Sequence, residues 1–220
     1  MWKEENKSSL LELPDAFRAG LENTCIIQQG SSIFCFVENV NRINAYRLSG
    51  LDTGQYKEEK LPNLKSSARA FSVALFKDRL IHLSGGFDKA SKQVAVYDIE
   101  LKKWSSAPSM NHGRNRHASC CLGKNIYVFG GHNNHGSIEA LSRPEKEAKR
   151  EWKVIVTNNQ LTRRHTAAVA VLNPTTIAVF GGKDSQFCND GYKFDTEQKS
   201  VAGILGGSSD LKFCCLTPVR

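Results

Sequence analysis

The sequence predicts an all-β fold of the propeller class, because an apolar stretch that ends in a glycine pair occurs three times. The three stretches are RLIHLSGG, NIYVFGG and TIAVFGG, and their pairs are Gly85 with Gly86, Gly130 with Gly131, and Gly181 with Gly182. The first glycines of successive pairs are 45 and then 51 residues apart. A period of that length is typical of propeller blades, and the apolar runs are too short for helices.

The residues around each glycine pair predict a blade of four short antiparallel strands. Runs of small residues precede the pairs, at 71–74, 118–121 and 167–170. Small side chains suit the innermost strand of a blade, where the sheets converge. Glycine at the end of the following strand permits a positive φ or a close approach that a Cβ would block.

A second repeated signal follows each glycine pair and predicts the blade core. Tyr97 is followed seven residues later by Trp104, and Phe194 stands in the position of Tyr97 in the third copy. The middle copy keeps Trp152 but has Leu141 in place of the aromatic residue. Side chains of this size fill the space between neighbouring sheets.

This pattern resembles the kelch repeat, in which an apolar strand is closed by two glycines and followed by a tyrosine and a tryptophan. The resemblance covers about residues 66–205, and a divergent earlier copy extends it to residue 24. It implies a kelch-type β-propeller in which the glycine pairs and Tyr97, Trp104, Trp152 and Phe194 are structural repeat residues.

The number of blades is the next expectation. We expect a divergent blade at about 24–63, three better blades at 66–110, 112–158 and 162–205, and a lone strand at 211–217. Residues 1–23 are expected to be poorly ordered or to form a short helix. Kelch propellers usually have five to seven blades, and six would need roughly 280 residues at this period. We therefore expect an incomplete ring of about four blades plus one strand, or a fragment of a longer gene product.

Composition argues against several classes of protein. The chain has seven cysteines but no CxxC motif, which favours reduced cysteines in a cytoplasmic protein. His132 and His135 alone make a poor metal site, so neither a metal nor another cofactor is expected. The amino-terminal residues lack a secretory signal, and no apolar run could cross a bilayer, so no membrane partner is expected.

Two alternatives to a binding module are considered. The net charge of +8 suggests a nonspecific nucleic-acid binder, but the cations are interleaved with acids and lack stacking aromatics, so nucleic acid is an unlikely partner. An enzyme on a propeller scaffold, of oxidase or sugar-hydrolase type, is the other alternative. The sequence has no GxSxG, HExxH or phosphate-loop motif, and we expect no enzymatic activity.

The predicted function is a protein-interaction scaffold or adaptor. In antiparallel blades, the loop from the second to the third strand and the link to the next blade emerge on one face. The resemblance implies that this rim binds a protein partner, which we expect to present an acidic segment. The predicted partner-binding residues are Phe87, Asp88, Lys89, His112, Arg114, His132, Asn133, Asn134, His135, Arg163, Asp184, Gln186, Phe187 and Asn189. Arg116 and Arg164, each followed by a histidine, are expected to be scaffold residues at matching positions.

Overall fold

The structure, a computed structural model, describes residues 24–204 except 40, 67, 87–90, 133–135, 143–149, 158, 160 and 161. The described residues form four antiparallel sheets of four strands each. In every sheet the strands lie side by side in the order in which they follow one another along the chain. The expected segment 1–23 and the expected strand 211–217 lie outside the described residues.

The first two sheets run from residue 24 to residue 107. The strands of the first sheet are β1 Thr24–Gln29, β2 Ser32–Asn39, β3 Arg42–Ser49 and β4 Lys57–Lys65. The strands of the second sheet are β5 Ser72–Phe76, β6 Leu80–Ser84, β7 Val94–Asp98 and β8 Lys103–Ala107.

The last two sheets run from residue 118 to residue 204. The strands of the third sheet are β9 Ala118–Leu122, β10 Asn125–Phe129, β11 Ile138–Ser142 and β12 Trp152–Val156. The strands of the fourth sheet are β13 Ala168–Asn173, β14 Thr176–Phe180, β15 Gly191–Asp195 and β16 Ser200–Ile204.

These four sheets confirm the all-β, propeller-type fold class. We call them blades one to four. The described residues contain no α-helix, and none of their ladders pairs a strand of one blade with a strand of another. The divergent first blade has the same four-strand order as the others, although it lacks a glycine pair.

The first strands of the blades lie side by side at the inner edge, as the small residues predict. β1 contacts β5, β5 contacts β9, and β9 contacts β13. The amide N–H of Arg116 donates to the carbonyl of Ala70 at 2.7 Å, and that of Thr166 donates to the carbonyl of Arg116 at 2.6 Å. All three residues have a φ between 52° and 57°. We call this backbone chain of Ala70, Arg116 and Thr166 the inner seam.

The outer edges of neighbouring blades are joined by tryptophans. The Trp104 ring lies 5.1 Å from the Tyr97 ring and 5.9 Å from the Phe36 ring, and its Nε1–H donates to the Pro62 carbonyl of the preceding blade at 2.7 Å. Trp152 repeats this bond to the Pro108 carbonyl at 2.9 Å. Both indoles therefore belong to the contacts between blades, where aromatic burial stabilises the fold.

The glycine pairs lie at the joints between blades. Gly130 has a φ of +61°, and a Cβ built there would clash with the Arg164 carbonyl oxygen of blade four. Gly85 meets the Arg114 carbonyl of blade three in the same way. Both reasons for glycine, a positive φ and a close backbone approach, therefore apply at these positions.

No disulfide bond joins the described cysteines, and adjacent ones face different neighbours. Cys120 packs in the apolar cluster between blades three and four, whereas Cys121 packs against the cluster between blades two and three. Within the described ranges, no group of three or more His, Cys, Asp or Glu residues is placed to hold a metal ion. No helix among the described residues has the length and apolar character that a membrane span requires.

Candidate partner-binding rim

The loops between second and third strands meet the links between blades on one face. The Gly86 N–H donates to the Arg114 carbonyl at 2.8 Å, and the Gly131 N–H donates to the Arg164 carbonyl at 2.9 Å. The His132 N–H likewise donates to the Asn115 carbonyl at 2.9 Å. These bonds define the loop rim, made of the described residues within 85–93, 130–137 and 181–190 and within the links 66–71, 108–117 and 157–167.

Arg114 was expected to contact a partner, but its side chain is fully buried in blade three. The guanidinium donates to the Gly130 carbonyl at 2.7 Å, to the Ser137 carbonyl at 3.0 Å and to a Glu139 carboxylate oxygen at 2.7 Å. A group with these partners cannot reach a partner protein without unfolding the blade. The structure therefore corrects the assignment of Arg114 from the rim surface to the scaffold.

The buried Glu139 carboxylate ties the link between blades two and three to this arginine. It accepts the backbone N–H groups of Asn111 at 2.7 Å and His112 at 3.0 Å. Burial raises the pKa of Glu139, but the Arg114 charge and these hydrogen bonds outweigh it and hold the pKa below the usual range. His112 also places its Nδ1 atom 3.2 Å from Glu139, while half of its side chain stays exposed. His112 thus joins the scaffold to the rim surface.

Arg164 is a scaffold residue, as expected, but Arg116 is not its counterpart. Arg164 is 5% exposed, and it donates to the Gly181 carbonyl at 3.0 Å and to Asp190 Oδ1 at 3.0 Å. Arg164 and Arg114 each lie four residues before the first strand of their blade. Arg116 instead lies in the inner seam, and its side chain is exposed. The expected match between Arg116 and Arg164 is therefore wrong by two residues.

On blades three and four, the rim carries a cluster of basic side chains and one large apolar side chain. The His132 and His165 rings lie 5.5 Å apart, edge to face. Lys183 Nζ lies 5.3 Å from the centre of the Phe187 ring, which is 76% exposed. Burial, followed by the charges of His132, Arg116 and Lys183, lowers the pKa of His165, against an opposing effect of Asp184. We call Arg116, His132, His165, Lys183 and Phe187 the basic patch.

The other expected rim residues fall into two groups. Arg163, Asp184, Gln186 and Asn189 are exposed on the rim beside the basic patch. Phe87, Asp88, Lys89, Asn133, Asn134 and His135 lie outside the described residues. Sequence reasoning missed Arg116, His165 and Lys183 as surface residues. The available signal was their position in the links and loops, since Lys183 directly follows a glycine pair.

Comparison with known proteins agrees with this architecture. The KLHDC2/KLHL20/DRC7 Kelch-repeats domain matches residues 37–202, which is most of the chain. Kelch domain-containing protein 3 of Bos taurus is 24% identical over 168 residues, which cover 64% of this chain and 44% of that protein. The chain therefore spans less than half the length of this curated relative.

Proposed function

Since the chain belongs to the Kelch-repeat family, we propose that it is a protein-interaction scaffold or adaptor, and not an enzyme. Kelch repeats are commonly protein-interaction scaffolds, and loops held on a rigid scaffold are where recognition residues collect. The proposed partner is a protein that presents an acidic segment to the loop rim. A cytoplasmic location is part of the same proposal.

The observation that supports this proposal most is the basic patch. Arg116 and Arg163 are exposed cations of the rim links, and Lys183 adds a third cation against Phe187. Complementary charge steers a partner and fixes its register, while an exposed aromatic ring supplies an apolar anchor. An acidic peptide that carries an apolar side chain fits both features.

The geometry of the rim determines which substitutions test the proposal. Arg114 is unsuitable, because reversing a buried charge would unfold the blade and lose binding for the wrong reason. The double substitution Arg163→Glu with Lys183→Glu reverses the charge of one exposed and one half-buried cation of the rim. Lys77→Glu with Lys199→Glu makes the same charge change in turns at the opposite ends of the strands, and serves as the matched control.

The experiment is capture of partners by the purified chain, with mass spectrometry and then direct affinity measurement on the purified partner. We expect the rim variant to weaken binding at least about tenfold, because reversing two interfacial cations costs about 1.4 kcal/mol or more. The control variant should bind within about twofold of the wild type.

Two outcomes would contradict the proposal. Equal weakening by the rim and control variants would indicate nonspecific attraction to the positive chain. Loss of all captured material after nuclease treatment would indicate nucleic-acid binding, whose affinity should also fall steeply with salt.

A further inference from the structure

A cavity of about 530 Å³ lies between blades one and two. Its apolar walls include Leu64, Leu83 and one side of Trp104, and Ala68, Gly85, Gln93 and Ala95 line it where β6 ends and β7 begins. A volume of this size is within the range of ligand-binding pockets.

Blade three has a guanidinium at the matching place. Arg114 donates to the carbonyl of Gly130, the first glycine of its pair, and to both the carbonyl and the hydroxyl of Ser137. Its remaining bond is to Glu139, the second residue of β11. Apart from its Nε atom, this guanidinium is satisfied by the blade itself.

Blade four repeats the arrangement, but the residue in the position of Glu139 is a tyrosine. Arg164 donates to the carbonyl of Gly181, again the first glycine of the pair, and to Asp190, which precedes β15 as Ser137 precedes β11. Its guanidinium carbon lies 5.3 Å above the ring of Tyr192, the second residue of β15. The position of the arginine and the glycine carbonyl are the shared elements.

In blade two both bulky partners are replaced by alanine. Ala68 lies four residues before β5, as Arg114 does before β9, and Ala95 is the second residue of β7. A Cβ built on Gly86 would lie 2.9 Å from the Ala68 Cβ, just as one built on Gly131 would lie 3.4 Å from the Arg114 Cβ. The Cβ of Ala68 thus occupies the place of the arginine Cβ. The cavity is the space that an arginine and its partner occupy in the next two blades.

We propose that this cavity binds the arginine side chain of a partner polypeptide. The guanidinium donates to the Gly85 carbonyl and to Gln93, which hold the positions of Gly130 and Ser137 in blade three. Its stem lies along Leu83, and its plane stacks on Trp104, as Arg164 lies over Tyr192. The forked donors of arginine suit a carbonyl beside a side-chain amide better than a lysine ammonium does.

Three of the four described arginines of blades one and two are already engaged with other side chains. Arg47 donates to Ser32, Arg69 pairs with Glu38 at 3.1 Å, and Arg79 pairs with Asp98 at 2.8 Å. The link that supplies the guanidinium in blades three and four has Ala68 here. The proposal therefore places the guanidinium on a second chain. This site is separate from the basic patch and does not depend on the acidic partner.

The test uses the Trp104 indole N–H signal in a nitrogen-15 NMR spectrum of the wild-type chain. The probe is the capped peptide Ac-Gly-Arg-Gly-NH2, and the matched control carries citrulline, the neutral isostere of arginine. We expect a saturable shift of the Trp104 signal with the arginine peptide, at least about tenfold weaker binding of the citrulline peptide, and an unchanged Trp152 signal. No shift, or equal affinity for both peptides, would overturn the proposal.

Lys65 provides a second, independent readout. It is an exposed cation that lines the cavity, so it opposes a bound guanidinium. Lys65→Gln should strengthen binding of the arginine peptide about two- to fivefold at low salt and leave the citrulline peptide unaffected. An equal change for both peptides would contradict a cationic ligand.

Ala68 allows the guanidinium to be supplied from within the chain. Ala68→Arg should raise Tm and abolish peptide binding, because the new side chain takes the place held by Arg114 and Arg164. Ala68→Leu fills the space without a charge, so it should abolish binding without the same rise in Tm. If Ala68→Leu raises Tm as much as Ala68→Arg or more, the stabilisation comes from filling the space and not from a guanidinium. The comparison of peptides on the wild-type chain stands even if either variant fails to fold.

Discussion

At the scale of single residues, buried polar groups hold the blades in register. Arg114 and Glu139 are both completely buried, and together they connect a blade-three strand with the preceding link. Burial lowers the pKa of Arg114 and is opposed by the Glu139 charge, while the pKa of Glu139 is itself lowered. The pair stays charged because each group has the other and further hydrogen-bonding partners. Breaking it would leave an uncompensated charge in the core.

His117 makes the stability of the chain depend on pH. Its ring is buried, Nε2 lies 2.9 Å from Ser84 Oγ, and burial together with the Arg114 charge lowers its pKa to about 3. An unfolded histidine has a pKa of about 6.5, so below that pH the unfolded chain binds a proton that the folded chain does not. The stabilisation present above pH 6.5 is therefore lost as the pH falls toward 3.

We expect the free energy of unfolding in urea to fall between pH 6.5 and pH 5 by up to about 1.4 kcal/mol per pH unit for this histidine. His117→Gln should remove most of that slope. His165→Gln should remove less, because the pKa of His165 is also lowered but its ring is only partly buried. An unchanged slope in His117→Gln would contradict the assignment. Glu139 does not interfere, since its lowered pKa acts at more acidic pH.

The sequence predicted residue types better than it predicted which side chains are exposed. Tyr97, Trp104 and Phe194 pack between blades as their spacing indicated. Arg114 was assigned to the surface because it lies in a link between blades, on the face where the loops emerge, while the two Arg-His dipeptides suggested a match between Arg116 and Arg164. Counting from the first strand of each blade would have aligned Arg114 with Arg164. A buried charge can be predicted from sequence only when its partner is recognised. Glu139 lies 25 residues from Arg114 in the chain, so nothing in the local sequence identifies it as that partner.

At the scale of elements, the glycine pair joins one blade to the next. Gly130 closes β10 and lets the Arg164 link of blade four approach its backbone. The following N–H, that of Gly131, donates to the Arg164 carbonyl. The pair therefore supplies both the space and the hydrogen bond of the joint.

Comparing Gly130→Ala with Gly123→Ala separates the cost of the positive φ from the cost of the close approach to the Arg164 carbonyl. Both glycines have a φ near +60°, so alanine meets a similar backbone strain, of about 1 kcal/mol, at each. A Cβ at Gly123 meets nothing within 4 Å, whereas one at Gly130 clashes with the Arg164 carbonyl. We expect Gly130→Ala to lower the free energy of unfolding by at least about 2 kcal/mol more than Gly123→Ala, measured in urea. Similar losses would show that the joint tolerates a methyl group.

Strands were predictable even where the repeat signature was absent. The first blade has no glycine pair and no tryptophan, yet its first three strands lie in apolar runs of strand length that are separated by polar residues. The cavity beside it was not predictable. The cavity exists because Ala68 and Ala95 stand where other blades have large side chains. The two alanines can be recognised as replacements only after the strand register has aligned the blades.

At the scale of the whole molecule, each blade contacts its neighbours in sequence, as in other repeat proteins. Separate apolar clusters fill the spaces between blades one and two, two and three, and three and four. Stability is then a sum of blade and joint contributions, and it is greatest where a blade is covered on both faces.

Native-state hydrogen exchange should reveal this distribution. We expect the amides of β6 and β10, whose blades have a neighbour on each side and whose Ile81 and Val128 are fully buried, to exchange slowest. The amides of β16 should exchange on the order of 100-fold faster, because it is the outer strand of blade four and most of its residues are exposed. Uniform exchange across the sixteen described strands would instead indicate a single cooperative unit.

The inner seam gives the assembly an unequal resistance to bending. At the inner edge, backbone bonds join blade two to blade three and blade three to blade four, and β5 and β9 add a bond of 2.7 Å between the hydroxyls of Ser72 and Ser119. At the periphery, an indole bond closes each of the first two joints. We therefore expect neighbouring blades to separate at their outer strands first, while their inner strands stay in contact. We expect solvent to enter between blades from the outer edge before the contacts between their first strands open.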